Sequence, residues 1–250
     1  MPDFKRKLLS LPPVETLVVI MRRILVSAGL IKRRYETEFT SLYRSNYWGS
    51  AESVSGGGSS LAETEAIRTT LPMLFREYNI RSILDVPCGD FNWMSSIDLS
   101  DIRYLGGDIV AEIIEKNSRV HNQRNLNFFQ TDIINDALPM CDLIMCRDCL
   151  VHLPLADVRK ALHNFIRSRS KFLLTTTFHA RSENSDIAPG KWRPINLQAA
   201  PFCFPPPLVM INEQCTEAAG AYADKSLGLW RLEDLKRGRF GEAGRLGFQP

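Results

Sequence analysis

Residues 82–93 read SILDVPCGDFNW, and working outward from them come YLGGDIV at 104–110, NFFQTDII at 127–134 and CDLIMCRDC at 141–149. Each apolar run ends in an acidic or polar residue where a buried strand would meet solvent, and Asp85, Asp108 and Asp132 fall at near-equal spacing. That rhythm is strand, helix, strand, helix, with polar groups gathered at one edge. Parallel strands joined by helical crossovers bring their carboxyl ends to one side, where open α/β sheets bind their ligands. The expected fold is therefore α/β, a doubly wound and mostly parallel sheet.

Strands are expected over 81–86, 104–110, 126–130, 142–146 and 171–177, with crossover helices over 111–121 and 155–167. Two later runs, 209–212 and 226–232, flank a turn of small and acidic residues and read as an antiparallel hairpin, which makes seven strands in all. Ahead of the first strand, Ser60 and Glu63 form a capping-box pattern for a helix over 62–78. The preceding stretch, YWGSAESVSGGGSS at 47–60, carries three consecutive glycines and cannot hold regular structure cheaply. It reads either as a flexible linker or as a loop covering a ligand. Residues 188–207 are rich in proline and aromatics, too irregular for a core element and long enough to serve function.

A chain of 250 residues with 44% hydrophobic and 24% charged residues is a soluble globular chain with room for one sizeable core. Its net charge of +3 is unevenly placed, because residues 1–34 carry eight Lys or Arg against Asp3 and Glu15. The body is slightly acidic and lacks the electrostatic footprint of a nucleic-acid binder. Six cysteines without dense, regular spacing point to a reducing compartment rather than a disulfide scaffold. Cys146 and Cys149 make one C-x-x-C, but no second pair completes a zinc site, so no metal is expected.

Three segments follow: a basic N-terminal helical segment over 1–44, the body over 45–236, and a tail over 237–250. Within the first, residues 14–31 gather Val14, Leu17, Val18, Ile20, Met21, Ile24, Leu25, Ala28 and Ile31 on one broad face of an amphipathic helix, with Arg22 and Arg23 outside it. The two arginines interrupt the run where a signal peptide would need a continuous apolar core. This helix either packs on its own domain or makes a peripheral contact with a membrane surface or a protein partner. No apolar run reaches transmembrane length, and a cytoplasmic location is expected.

The turn after the first strand narrows the ligand. A dinucleotide fold would show G-x-G-x-x-G there, and only Gly89 is present; a P-loop would need a following GK[ST]. The order DVPCGDFNW, GGDIV, FQTDII, CDLIMCRDCLVHLP and LLTTTF, closed by a late strand pair, resembles the class I S-adenosylmethionine-dependent methyltransferases, and the DxPCGDFNWM form resembles a bacterial subgroup of them. The resemblance spans roughly residues 45–232. It implies a Rossmann-like methyltransferase sheet, S-adenosyl-L-methionine as cofactor, and transfer of a methyl group to an oxygen or nitrogen of a small-molecule or saccharide acceptor. The family's glycine-rich first loop corresponds to 85–91, its ribose-binding acid to Asp108, its adenine-edge acid to Asp132 and its loop after the fourth strand to 147–154. The implied cofactor residues are Asp85, Pro87, Cys88, Gly89, Asp90, Asn92 and Trp93 on the first loop, Asp108 and Ile109 on the second, Asp132 and Ile133 on the third, and Arg147 on the fourth.

The chain departs from the family's D-x-G-x-G-x-G at Pro87 and Phe91, where proline removes a donor and phenylalanine adds bulk, so Asp90 and Asn92 are expected to reach the cofactor by their side chains. A sulfonium is already a strong methyl donor, so the protein's task is to align an acceptor and, where the acceptor is protonated, to take its proton. Asp148 and His152, four apart, are the candidate bases; the alternative is that Asp148 caps a helix and His152 packs. Trp48, Ser55 and Gly57 in the 47–60 stretch, and Trp192, Glu213, Tyr222 and Asp224 beyond the fifth strand, are the candidates for acceptor binding. Two other functional classes remain: a non-catalytic cofactor-binding or scaffold protein, and an NAD-type oxidoreductase, which the missing glycines disfavour.

Overall fold

The computed structural model describes residues 35–237. The amphipathic stretch at 14–31 and nearly all of the C-terminal tail lie outside those residues. One seven-stranded sheet runs through the molecule in the order β3-β2-β1-β4-β5-β7-β6. It comprises β1 (Ser82–Asp85), β2 (Arg103–Asp108), β3 (Leu126–Gln130), β4 (Leu143–Cys146), β5 (Phe172–Phe178), β6 (Val209–Asn212) and β7 (Lys225–Arg231). The first five strands are mutually parallel, whereas β7 runs antiparallel to both β5 and β6.

Among the described residues five α-helices accompany it: α1 (Glu36–Arg44), α2 (Glu65–Glu77), α3 (Ala111–Val120), α4 (Leu155–Arg167) and α5 (Leu232–Arg237). All four residues of β4 are buried and apolar, as a central strand covered on both faces must be. On one face Leu84, Ile144 and Leu173 pack under Leu162 and Phe165 of α4. On the other, Ile83, Leu143 and Leu174 pack with Ile67, Leu71 and Phe75 of α2. The late strands are joined by twelve residues that include a short 3-10 turn, Glu217–Gly220, rather than by a tight hairpin turn.

Helix α2 starts three residues later than the expected 62. Ser60 Oγ does accept the Glu63 amide at 3.2 Å, but the Glu63 carboxylate reaches Thr216 instead of closing the capping box. That bond ties the start of α2 to the segment between β6 and β7. The register places Asp85 of β1 beside Gly106 and Met145, so the carboxyl ends of β1, β2 and β4 open onto one cleft.

Candidate active site

The cleft is a cavity of about 490 Å³ at that sheet edge. Its floor is the loop after β1. Cys88 donates its amide to Gly107 of β2, and Gly89 turns with φ +52, where a Cβ would meet Ser55 Oγ at 2.2 Å. Only glycine lets the 47–60 stretch approach so closely. Phe91 occupies the left-handed region at φ +59, yet its ring is buried against Tyr104, His121 and Phe128. Its bulk therefore enters the core, contrary to the expectation that it would crowd the site.

Asp90 and Asn92 also depart from expectation. Asp90 lines the cavity, but its carboxylate accepts from Ser53 Oγ at 3.0 Å and from the Val54 amide at 2.9 Å, which pins the covering loop to the first loop. Asn92 does not line the cavity, because its amide group donates to Glu52 at 3.0 Å and to the Ser59 carbonyl at 3.2 Å.

Asp108 closes β2 and accepts the amides of Val110 at 2.9 Å and Gly89 at 3.2 Å. Burial pushes its carboxyl up to about 6, against the pull of those amides. Asp85 is buried beneath it, and burial, against a 2.5 Å hydrogen bond from Tyr104, raises its carboxyl to about 7. Asp132 accepts the Ile134 amide at 2.9 Å and the Asn135 side chain at 2.7 Å. Pro87, Cys88, Trp93, Ile109, Ile133 and Arg147 line the same cavity; burial pushes the Cys88 thiol well up, so it stays protonated.

Arg147 is the hub of a buried charge cluster. It donates to Glu213 at 2.6 Å and to the Gly58 carbonyl at 2.7 Å, contacts Asp148 at 3.3 Å and lies over the Trp93 ring at 5.6 Å. Lys225, at the start of β7, reaches Asp148 at 2.6 Å and Glu213 at 3.5 Å. Burial alone would raise the Asp148 carboxyl, but Lys225 and Arg147 outweigh it and hold it far below the usual carboxylate range. This takes Asp148 out of the role of base. Its amide and carboxylate both engage Thr176 Oγ1, so it does not cap a helix either.

His152 stands differently. Its Nδ1 lies 3.2 Å from the Lys191 carbonyl and must donate to it, which leaves Nε2 with its lone pair and no hydrogen-bond partner among the described residues. Burial lowers its pKa below the ordinary value and Asp148 acts the other way, so the ring is neutral near pH 7. Phe39 and Trp48 meet it edge-on at 6.5 and 6.0 Å.

Among the acceptor candidates, Trp48, Ser55, Gly57, Trp192 and Tyr222 line the cavity. Glu213 does not, being consumed by Arg147, and Asp224 does not, because it accepts from Arg181 and the Ala180 amide at the surface. Lys225, Glu217 and Lys191 line the cavity without having been expected there. So do Tyr35, Phe39 and Tyr43 on and just before α1; their i, i+4, i+8 spacing was a legible helical stripe. Among the described residues no group of three or more His, Cys, Asp or Glu could hold a metal, and no helix is long and apolar enough to cross a membrane.

This strand order, five parallel strands closed by an antiparallel late strand, is that of the Rossmann-like methyltransferase fold, and it gathers three acids at the carboxyl ends of β1 to β3 around one cavity. No family model and no curated protein matches the chain. Among solved structures it is similar to human N-acetylserotonin methyltransferase in complex with SAM, with a TM-score of 0.52 and 14% identity over 83% of this chain and 61% of that one. It is also similar to the N-methyltransferase NodS from Bradyrhizobium japonicum in complex with S-adenosyl-L-homocysteine, with a TM-score of 0.45 and 16% identity over 55% of this chain and 73% of that one. An O-methyltransferase family protein from Burkholderia thailandensis matches 48% of this chain and 41% of its own at 17% identity and a TM-score of 0.36. At such identities the likeness is one of fold, and the match spans about three-fifths of the human enzyme.

Proposed function

We propose that this protein is a methyltransferase that binds S-adenosylmethionine and delivers its methyl group to an oxygen or nitrogen of a small-molecule or saccharide acceptor. The observation that carries the reading is that the three strand-end acids and a neutral histidine with a free Nε2 line one cavity. The residues fit the cofactor: each Asp108 oxygen already takes one amide and keeps a second lone pair for a ribose hydroxyl, and Asp108, whose carboxyl stands at about 6, supplies negative charge for a sulfonium at neutral pH. When bound, the cofactor supplies an activated methyl group.

The chain's own work is then to position and to move a proton. Asp108 and the Gly89 turn hold the ribose side, and Asp132 with Ile133 borders the adenine side. His152 Nε2 accepts the proton of a hydroxyl or amine acceptor, and Asp148, locked by Lys225, contributes a fixed negative charge that favours the protonated ring. Trp48 and the glycine loop cover this end and exclude water. Calorimetric titration with S-adenosylmethionine and with NADH, followed by a labelled-methyl screen of cell extract, tests the reading. Saturable binding of the first alone and labelling of an extract component are expected; binding of NADH alone would overturn it.

A further inference from the structure

The wall of the cavity around His152 is built of rings. Three of the chain's four tryptophans and four of its six tyrosines line the cavity. Trp48 abuts the imidazole from one side at 6.0 Å. Trp192 and Tyr222 meet at 4.7 Å and both lean on Phe178, at 5.9 and 6.0 Å. The two groups are joined through the base itself, since His152 Nδ1 bonds the carbonyl of Lys191, the residue before Trp192. The indole nitrogens of Trp48 and Trp192 and the Tyr222 hydroxyl have no hydrogen-bond partner among the described residues. Rings with unused polar tips suit a ligand that is flat and apolar with a polar edge.

Most carboxylates that would recognise other acceptors are already engaged; Glu217, which also lines the cavity, accepts only from the Cys215 thiol, at 3.7 Å, among the described residues. A saccharide is held by carboxylates and amides that take several hydroxyls at once, and an ammonium by free carboxylates. Here Asp148 is bound to Lys225, Glu213 to Arg147, and Asp224 to Arg181 outside the cavity. We propose, building on the methyl-transfer reading, that the acceptor is an aromatic hydroxyl compound, a phenol lying between Trp48 and the Trp192–Tyr222 pair with its oxygen at His152 Nε2.

The chemistry agrees. A phenol ionises near about 10, as tyrosine does, whereas bulk water stands at about 15.7 and an alcohol lies far nearer to water than to phenol. A histidine whose basicity is reduced by burial can take the first proton and not the second. The phenolic O–H breaks and its proton goes to Nε2. The oxygen pair then forms the bond to the methyl carbon while the C–S bond breaks and its pair stays on sulfur, giving an aryl methyl ether and a neutral thioether.

The test uses the full chain and reads binding separately from transfer. Tryptophan fluorescence and saturation-transfer NMR follow phenol, catechol and 1-naphthol against methyl glucoside and methyl rhamnoside, each with and without S-adenosylhomocysteine. The aromatic probes should bind saturably and the glycosides should not. Trp48→Ala and Trp192→Leu should each weaken aromatic binding about tenfold while leaving S-adenosylhomocysteine affinity in place. His152→Gln should keep phenol binding and lose methylation of phenol, while retaining more of it toward the more acidic 4-nitrophenol. Glycoside binding without phenol binding, or phenol binding indifferent to both tryptophan changes, would overturn the proposal even if cofactor binds. Phenol binding that survives a failure to bind S-adenosylmethionine would sink the methyltransferase reading and leave the aromatic site standing.

Discussion

Glu213→Ala isolates the buried charge cluster under the active site. The Arg147, Glu213 and Lys225 side chains are 5%, 1% and 7% exposed, and a single carboxylate oxygen of Glu213 serves both cations, at 2.6 and 3.5 Å. Deleting that carboxylate leaves two buried cations with only the more exposed Asp148 and Glu217 to balance them. Breaking a buried pair from one side costs about 3–5 kcal/mol, since the remaining charge keeps its desolvation penalty. For a chain of this size that corresponds to a fall in Tm of roughly 6–20 °C. Urea unfolding of parent and variant measures it directly, and the double variant Arg147→Met/Glu213→Leu, which removes the stranded charge, should recover most of the loss. A Glu213→Ala cost below about 1 kcal/mol, the range of an exposed ion pair, would refute the account of a buried cluster. Failure of the double variant to recover would show that packing, not charge, was lost.

Protonation of the strand-end acids should be visible in stability. Asp85 and Asp108 hold protons up to about 7 and about 6 in the folded chain, above the ordinary carboxylate value of 3.8, so the folded state binds more protons across that window. Their contribution is fully present below the unfolded pKa and is lost as pH rises through the folded values, so Asp85→Asn/Asp108→Asn should gain on the parent between about pH 4 and about pH 7. Parallel urea profiles for the two proteins would contradict this. The covering loop is tested at Gly56, which turns at φ +98 and where a Cβ would lie 3.1 Å from Trp48 Cβ. Gly56→Ala should raise the acceptor KM several-fold with S-adenosylhomocysteine affinity unchanged, whereas Gly57→Ala, whose Cβ meets only the Glu217 carboxylate at 3.6 Å, should be near neutral. Equal effects of the two would return the loop to a linker.

The sheet was legible because buried parallel strands must be apolar and must end in polar residues: β3 and β6 match their expected bounds, and the others differ by one or two residues at an end. What local pattern did not reveal were contacts across long sequence separations. Lys225 and Asp148 are 77 residues apart, and nothing near either announces that one will neutralise the other. Glu213 reads in sequence as an acid in a small-residue turn, yet it closes an ion pair with Arg147 because β6 and β4 end at the same edge. At Phe91 the sequence tells that a bulky residue stands at a glycine position but not which way its side chain turns. The aromatic stripe at 35, 39 and 43 has helical spacing, but three rings on one turn-to-turn line do not announce which surface they cover.

The central claim is that the strand-end acids hold S-adenosylmethionine, and Asp108 is where it is most exposed to test. Calorimetric titration of the parent with S-adenosylhomocysteine and S-adenosylmethionine should give one saturable site. In Asp108→Ala, shown to be folded by its far-UV spectrum, the loss of bonds to a charged acceptor worth about 1.5–3 kcal/mol each should weaken both by tenfold or more. If folded Asp108→Ala binds them as tightly as the parent, or the parent binds neither, the cleft is not a methyl-donor site.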